Sequence, residues 1–408
     1  MKTHLKTGRM FGATILTIAL LLGCVAQAQT YTVLHNFTGG GDGAAPYAGL
    51  TIDRGGNLYG TTSGGLDCAP PSCGTVFKLT HRSGGWVLSP LYAFTGNNGA
   101  VPLSRVVFGP DGALYGTTYE GGENSGGTVY KLTPPVNVCP TVSCPWSLTA
   151  LHQFSLLGES DGVYPGYGDL IFDASGNIYG TTIEGYGGLC NDQTCGGVYE
   201  LSHRQGGWTE IPVFSMQYFQ IGYWPYAGVT LDGAGNLYGA SGLNFSGLFK
   251  LSYNGAWFVT GLMNFENSAS GIYGTPVFDS SGNLYDDIAQ GNPGGSVYEL
   301  EPNGNGWIFN TVYTFSGDGI GPVSTLTMDS SGNLYGVTNQ LGAHGFGNVF
   351  KLTHAGGAWS YTSLYDFTGG TDGANPWGQV ILDSSGDIYG TTVAGGTSGN
   401  GVVWEITP

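Results

Sequence analysis

Positive charge is scarce in this sequence. Its 408 residues hold 11 Lys and Arg against 28 Asp and Glu, a net charge of −17. The few cations are scattered, so no basic stripe is available for nucleic acid or an anionic membrane. Long apolar runs are also missing. Beyond the N-terminus no stretch is long and apolar enough for a transmembrane anchor. Sustained helical periodicity is absent from the same region, which argues against a helical fold. There is no nucleophile elbow, phosphate-cradling loop, His-Glu-x-x-His motif or basic aromatic patch. No cofactor and no metal are expected on that ground.

The first 28 residues stand apart. Lys2, Lys6 and Arg9 form a basic start, Phe11 to Leu22 carries no charge, and Ala26-Gln27-Ala28 has the A-x-A form of a cleavage site. Residues 1–28 therefore read as a secretory signal peptide, with an apolar run too short to span a bilayer. Leu21-Leu22-Gly23-Cys24 is similar to a lipobox, so a lipid anchor at Cys24 is the alternative exit. Removing the leader takes three cations and no acid, leaving eight cations against 28 acids, a charge of −20. Acidity of that kind mainly keeps an exported chain soluble.

Six cysteines follow, in pairs of equal spacing: Cys68/Cys73, Cys139/Cys144 and Cys190/Cys195. An even count in an exported protein argues for three short disulfides, each contributing about 2 kcal/mol. Metal ligation is the rival reading. It would need four ligands in one place, and the repeat described next separates the pairs.

What is present in abundance is a repeat. DRGGNLYG at residues 53–60 returns with drift six more times, placing Tyr59, Tyr115, Tyr179, Tyr238, Tyr285, Tyr335 and Tyr389 at intervals of 47 to 64 residues. Such a period signals an array of similar supersecondary units. Each unit has four segments of strand character. The first is an apolar run ending in Asp, such as residues 49–53. The second is the NLYGTT phrase, the third a VFKL-like segment, and the fourth runs from a Trp to a Phe, as in residues 86–94. Short β-branched and aromatic runs bounded by Gly, Asn, Asp and Ser are strand signals. The Asp-x-x-Gly-Asn turn has a direct explanation. Asp accepts from backbone N–H groups two residues on, and Gly takes the left-handed position. A calcium loop would need the terminal Glu that these turns lack. The recurring Tyr and Phe positions read as core rungs.

Seven units of four strands imply an all-β, seven-bladed β-propeller of antiparallel blades across residues 29–408. The ends support closure. Residues 31–37 form a spare fourth strand, and the last unit ends on a third strand. Pairing them completes the last blade and removes an exposed edge. An open solenoid would need capping repeats, and none is visible.

The phrase NLYGTT, a Gly-rich loop, VFKLT, a Trp-to-Phe strand and FTGGTDGANPWGQV at residues 367–380 together resemble the GloVer tandem repeat of bacterial surface and secreted proteins. The resemblance spans residues 31–408 and implies no reaction. Members carry assorted C-terminal anchors, whereas this sequence stops at Pro408 after its last strand. Free secretion, or a lipid at Cys24, is the expectation. The turn also resembles those of NHL-type and streptogramin-lyase-type propellers, a likeness of fold only.

Site residues should break the repeat, whereas scaffold residues should follow it. His81, His203 and His354 share one repeat position, and His35 and His152 share another. Only His344 is singular. The loops before the first strand, and those between second and third strands, share one face, here called the top. There Tyr47, Leu103, Tyr167, Tyr226, Tyr273, Val323 and Trp377 align, five of the seven aromatic. They form either a ring that stacks on flat ligands at the channel mouth or inter-blade packing. Two residues on stand Gly49, Arg105, Asp169, Gly228, Thr275, Thr325 and Gln379. Arg105 and Asp169 break that series on adjacent blades, as an ion pair or as ligand contacts. Asp42, Asp161, Asp318 and Asp372 recur in turns. With Glu120 and Glu184 they would attract a divalent cation, although turn formation explains the Asp residues alone.

The expected function is a secreted, monomeric, non-catalytic propeller that binds an extracellular glycan, peptide or surface partner. Tyr47, Arg105, Tyr167, Asp169, Tyr226, Tyr273, Trp377 and His344 are its candidate ligand contacts. The alternative is a lyase or hydrolase acting on a polysaccharide or small lactone. It requires His344 to meet Glu120, Glu184 or Asp287 at the channel mouth.

Overall fold

The computed structural model describes residues 29–408 except 66–72, 136–145, 157–160, 188, 191–192, 217–221, 243–245, 266–270, 290–293, 305 and 318–320. The leader with Cys24, then Cys68, Cys139, Cys144 and Asp318, and the side chain of Cys190, lie outside the described residues. Cys73 and Cys195 are buried, and neither is a free thiol.

Seven four-stranded antiparallel blades stand in a ring. Blade 1 shows the plan. Thr51–Ile52 is innermost, followed by Leu58–Thr62, Thr75–Arg82 and, at the rim, Gly85–Ala93. Blade 3 adds a strand, Gly162–Pro165, paired with the end of its second strand Ile178–Gly185. Blade 7 is closed as expected. Thr30–Asn36 pairs with Val402–Thr407, from Thr30 opposite Thr407 to Asn36 opposite Val402. No helix among the described residues is long and apolar enough to cross a membrane.

The inner strand is shorter than the five residues expected at positions 49–53, with only Thr51–Ile52 in the ladder. Its leading residues turn in toward the axis, where neighbouring blades nearly touch. A Cβ on Gly49 would lie 2.4 Å from the Gln379 carbonyl oxygen.

The repeated phrase now has a reason at each position. Asp53 Oδ1 accepts from the N–H groups of Gly55 and Asn57, and Oδ2 accepts from Asn57 Nδ2 and the Tyr59 hydroxyl. Asp232 and Asp329 repeat the set. Gly56 takes φ +74°, the left-handed position. The seven tyrosines are 4–6% exposed. The glycine that follows makes room for the aromatic of the third strand. A Cβ on Gly60 would lie 2.5 Å from Phe77, and one on Gly390 2.3 Å from Trp404. These aromatics fill seven clusters of buried residues, one at each seam between blades.

One regular feature lies outside the strand pattern. Third and fourth strands share a β-bulge at the same place in every blade. The extra residue is aliphatic each time: Leu34, Leu91, Leu151, Val213, Leu262, Val312 and Leu364. A bulge re-aims one side chain and bends the strand. Here it turns a rim residue inward, and Leu91 is 6% exposed.

The turn aspartates have a consequence for acid stability. Burial alone pushes the Asp53, Asp232 and Asp329 carboxyls up. Hydrogen bonds from Asn, the turn N–H groups and Tyr outweigh it and hold all three below the ordinary carboxylate value. Groups lowered by folding stabilise above their unfolded pKa and lose that contribution as pH falls through the folded one. The melting temperature therefore drops as pH falls below about 4. Asp232→Ala costs roughly 2 kcal/mol in denaturant unfolding at neutral pH and flattens part of the acid slope. An unchanged slope would assign the acid sensitivity elsewhere.

Candidate functional site

The top face is built from the lead-in to each inner strand. Five lead-ins place a non-glycine residue in the left-handed region directly before a proline: Ala45, Val101, Tyr164, Trp224 and Asn375, with φ from 52° to 58°. This backbone is costly for a residue with a Cβ, and more so before proline. It is held by hydrogen bonds on both sides. The Val101 N–H donates to Cys73 O of the preceding blade, and Val101 O accepts from Tyr119 of its own. Ala45 does the same with Asn400 and Ser63, and so closes the ring. The kink aims the residues after the proline at the axis.

The aromatics so aimed do not stand as an open ring. They pack on one another around Trp377, whose ring centroid lies 6.2 Å from Tyr47, 5.9 Å from Tyr167 and 5.4 Å from Tyr273. Tyr226 joins through Tyr273 at 5.4 Å and Tyr167 at 6.1 Å. Trp377 thus touches blades 1, 3 and 5 from blade 7. The cavity left beneath is about 30 Å³, room for one or two waters. It is also lined by Leu103, Arg105, Asp169, Val323, Ser324, Thr325 and Gln379. Two polar groups there are buried without a hydrogen-bond partner among the described residues, Trp377 Nε1 and Ser324 Oγ. Burial pushes the Tyr167 hydroxyl pKa up, with further contributions from Tyr47, Tyr119, Tyr226 and Tyr273.

Arg105 and Asp169 meet. Arg105 Nε and Nη2 lie 2.8 and 2.7 Å from Asp169 Oδ2, and the Arg105 N–H donates to Oδ1 at 3.0 Å. Arg105 Nη1 reaches Leu50 O at 3.5 Å, so one side chain ties blades 1, 2 and 3. Their repeat position is a belt of blade-to-blade bonds. The Gly228 N–H donates to Thr275 Oγ1, the Thr275 N–H to Thr325 Oγ1, and Gln379 Nε2 to Leu326 O. The ion pair is the charged link of that belt.

His344, Glu120, Glu184 and Asp287 each have their own surroundings. Glu120 and Glu184 act on Tyr119 and Tyr164, which stack with centroids 5.0 Å apart. The Tyr119 hydroxyl is pushed up to about 12, by burial first and then by Glu184, Tyr164 and Glu120. Asp287 is buried within blade 5, and His344 is exposed on its loop. Among the described residues no three of His, Cys, Asp and Glu are placed to hold a metal ion. Asp42 and Asp372 are used in their own loops, accepting from Thr38 and His35 and from Thr368 and Tyr365. Asp161 accepts from Ser155 and His152. His81, His203 and His354 pack on Trp86, Trp208 and Trp359 of the adjacent outer strands. Tyr119 and Tyr164 were not singled out from sequence. The available signal was Tyr164 standing where Ala45 and Val101 stand, directly before the loop proline.

A model of the Gloeobacter/Verrucomicrobia repeat matches residues 4–144 and 244–408. No curated protein matches the sequence significantly. Among solved structures, the WD40 β-propeller domain of Doa1 is similar at TM-score 0.53 and 12% identity, over 92% of this chain and 96% of that one. An ulvan lyase of polysaccharide lyase family PL25 is similar at TM-score 0.52 and 10% identity, over 88% and 94%. At these identities the likeness is one of fold alone.

The belt gives a measurable coupling. Arg105→Ala strands the Asp169 carboxylate, whose side chain is 22% exposed, and costs roughly 2 kcal/mol. Arg105→Ala/Asp169→Ala costs less than the two single changes summed, by about 1 kcal/mol in a double-mutant cycle of denaturant melts. Additive single changes would show that the two side chains do not interact.

Proposed function

The chain belongs to the Gloeobacter/Verrucomicrobia repeat family, and from that premise we propose that it is an exported, non-catalytic propeller that binds a glycan on its top face. The carrying observation is the aromatic cluster around Trp377, together with Trp377 Nε1, which has no partner among the described residues. Aromatic faces offer apolar area, and an indole N–H seeks an acceptor when buried. The apolar face and hydroxyl oxygens of a sugar ring supply both. A cavity of about 30 Å³ is too small for a sugar, so the ligand lies on the cluster or displaces Trp377. Arg105 and Asp169 brace the wall and leave recognition to the aromatics and to Gln379, Thr325 and Ser324. His344 belongs to a neighbouring loop and is a peripheral contact at most. Export through cleavage after Ala28, with disulfides between Cys68 and Cys73, Cys139 and Cys144, and Cys190 and Cys195, completes the reading.

A glycan array probed with the mature protein tests it. Binding is expected to at least one class of glycan, with quenching or a blue shift of Trp fluorescence. Trp377→Ala weakens binding at least tenfold and Tyr226→Ala less. The melting temperature of Tyr226→Ala stays within a few degrees of wild type. No binding to any glycan, or unchanged binding by Trp377→Ala, would overturn the reading. Turnover of a bound polysaccharide, seen as release of oligosaccharides, would replace binding with catalysis.

A further inference from the structure

Blade 5 departs from the repeat in its second strand, Leu284–Ile288. The Gly that follows the recurring Tyr is Asp286 here. The next position is Thr in four blades, Ala240 in blade 4 and Val337 in blade 6, and it is Asp287 here. Both aspartates are buried, at 1% and 0% exposure. Asp286 Oδ1 accepts from the Asp287 N–H at 2.9 Å. Asp286 Oδ2 and both Asp287 carboxyl oxygens find no partner among the described residues. A carboxylate anion buried in this way is strongly disfavoured, and such a group retains its proton instead.

Among the described residues, the surrounding elements supply no counter-charge. Asp286 stands opposite Tyr298 on the third strand, Ser296–Asn303. On the inner lead-in its Oδ1 lies 2.7 Å from where a Cβ of Gly274 would stand. The seam toward blade 4 presents Tyr238, Leu248, Ile272 and Leu284. The seam toward blade 6 presents Tyr285, Leu326, Leu334 and Phe350. The titratable groups acting on Asp286 are Asp287, which pushes it up, and Tyr298, whose hydroxyl holds it down; burial alone acts on Asp287. Burial pushes both well above the ordinary carboxylate value, and Asp287 pushes Asp286 further.

Three other blades show what the Asp287 position can do. Thr61 Oγ1 donates across its seam to Ser104 O at 3.2 Å, Thr181 Oγ1 to Ala227 O at 2.8 Å, and Thr391 Oγ1 to Ala48 O at 2.9 Å. The acceptor at the same register in blade 6 is the carbonyl of Ser324. A carboxylate would repel that oxygen, whereas a carboxylic acid donates to it.

We propose that the seam between blades 5 and 6 is a proton-dependent latch, in which the uncharged Asp287 carboxyl replaces the threonine hydroxyl as donor to Ser324 O. A carboxyl whose pKa is raised by folding stabilises fully below its unfolded pKa and loses that contribution as pH rises through the folded one. The latch is closed in acid and loosens as the pH rises. Ser324 and Thr325 also wall the cavity under Trp377, so loosening reaches the top face. The latch does not depend on what that face binds.

Hydrogen-exchange mass spectrometry of the mature protein at about pH 5 and about pH 8.5, corrected for intrinsic rates, tests the latch. Protection over residues 271–288 and 321–328 is expected to fall about tenfold or more at the higher pH, the equivalent of one unit of pKa shift. The Thr61 seam should hold its protection. Asp286→Gly/Asp287→Thr, which restores the Gly-Thr of four other blades, removes the difference. Asp287→Asn, which donates but cannot ionise, removes it as well. Equal protection at both pH values, or the same loss in the double variant, would overturn the latch. Protection restored at high pH by excess calcium in wild type alone would assign the pair to a cation and overturn it too.

Discussion

The whole wheel depends on how closely the inner edge of one blade approaches the next. Seven short inner strands share one axis, and little space separates them. The glycine at the head of the third strand meets the proline of the following blade. A Cβ on Gly74 would lie 2.6 Å from Pro102 Cδ, one on Gly127 2.6 Å from Pro165 Cδ, and one on Gly347 2.6 Å from Pro376 Cδ. Gly401 repeats the contact with Pro46 at 2.8 Å, across the join between the chain ends. The same approach places a residue before each of these prolines in the left-handed region, at a cost of about 1–3 kcal/mol each. Backbone hydrogen bonds to the preceding blade and within the same blade offset that cost. Strain and closure are therefore one feature, and the same kink points aromatic side chains at the axis.

That origin explains why the top face is distinctive while the opposite face is uniform. The Asp-x-x-Gly-Asn turns repeat nearly unchanged because every donor in them is used within the turn. The lead-ins tolerate drift, since the position after the proline mainly meets its counterparts around the axis. Tyr47, Tyr167, Tyr226, Tyr273 and Trp377 exploit that freedom. Leu103 and Val323 are the two smaller members, and Trp377 reaches blades 1, 3 and 5 across the axis. The belt below obeys a stricter rule, because its side chains bond between blades. Arg105 and Asp169 are admitted there because each neutralises the other.

Much of this was legible from one dimension of information. The period of the NLYG phrase counts the blades, and the spare strand at the N-terminus dictates closure. Arg105 and Asp169 stood out because each broke the same series on adjacent blades, with an ion pair as one of two readings. Other features had no linear signal. The bulge at Leu34, Leu91 and Leu151 is invisible because an aliphatic residue in a rim strand fits ordinary alternation. The five-residue inner strand was overestimated because pairing ends where neighbouring blades crowd the axis. Aromatic positions were readable, but the direction of the Trp377 ring was not. A rotamer that crosses a channel depends on the width of the channel. The Asp286-Asp287 pair was visible as a departure from Gly-Thr. Its burial follows only from the neighbouring seams.

A repeat also determines how much irregularity it can carry. Stability in such an array is nearly a sum of units and the seams between them. A costly pair in blade 5 therefore weakens its own seams and leaves the belt at Arg105 untouched. Ring closure adds a constraint that an open array lacks, because a seam cannot loosen without moving the inner strands beside it. Blade 5 contributes Tyr273 to the aromatic cluster, and blade 6 contributes Ser324 and Thr325 to the cavity wall. The seam that holds carboxyls without a partner among the described residues is thus also a seam that shapes the channel mouth. Irregularity placed between blades 2 and 3 would have met the ion pair and been held in place. Placed between blades 5 and 6, it meets only neutral threonines, and the wheel is free to respond there.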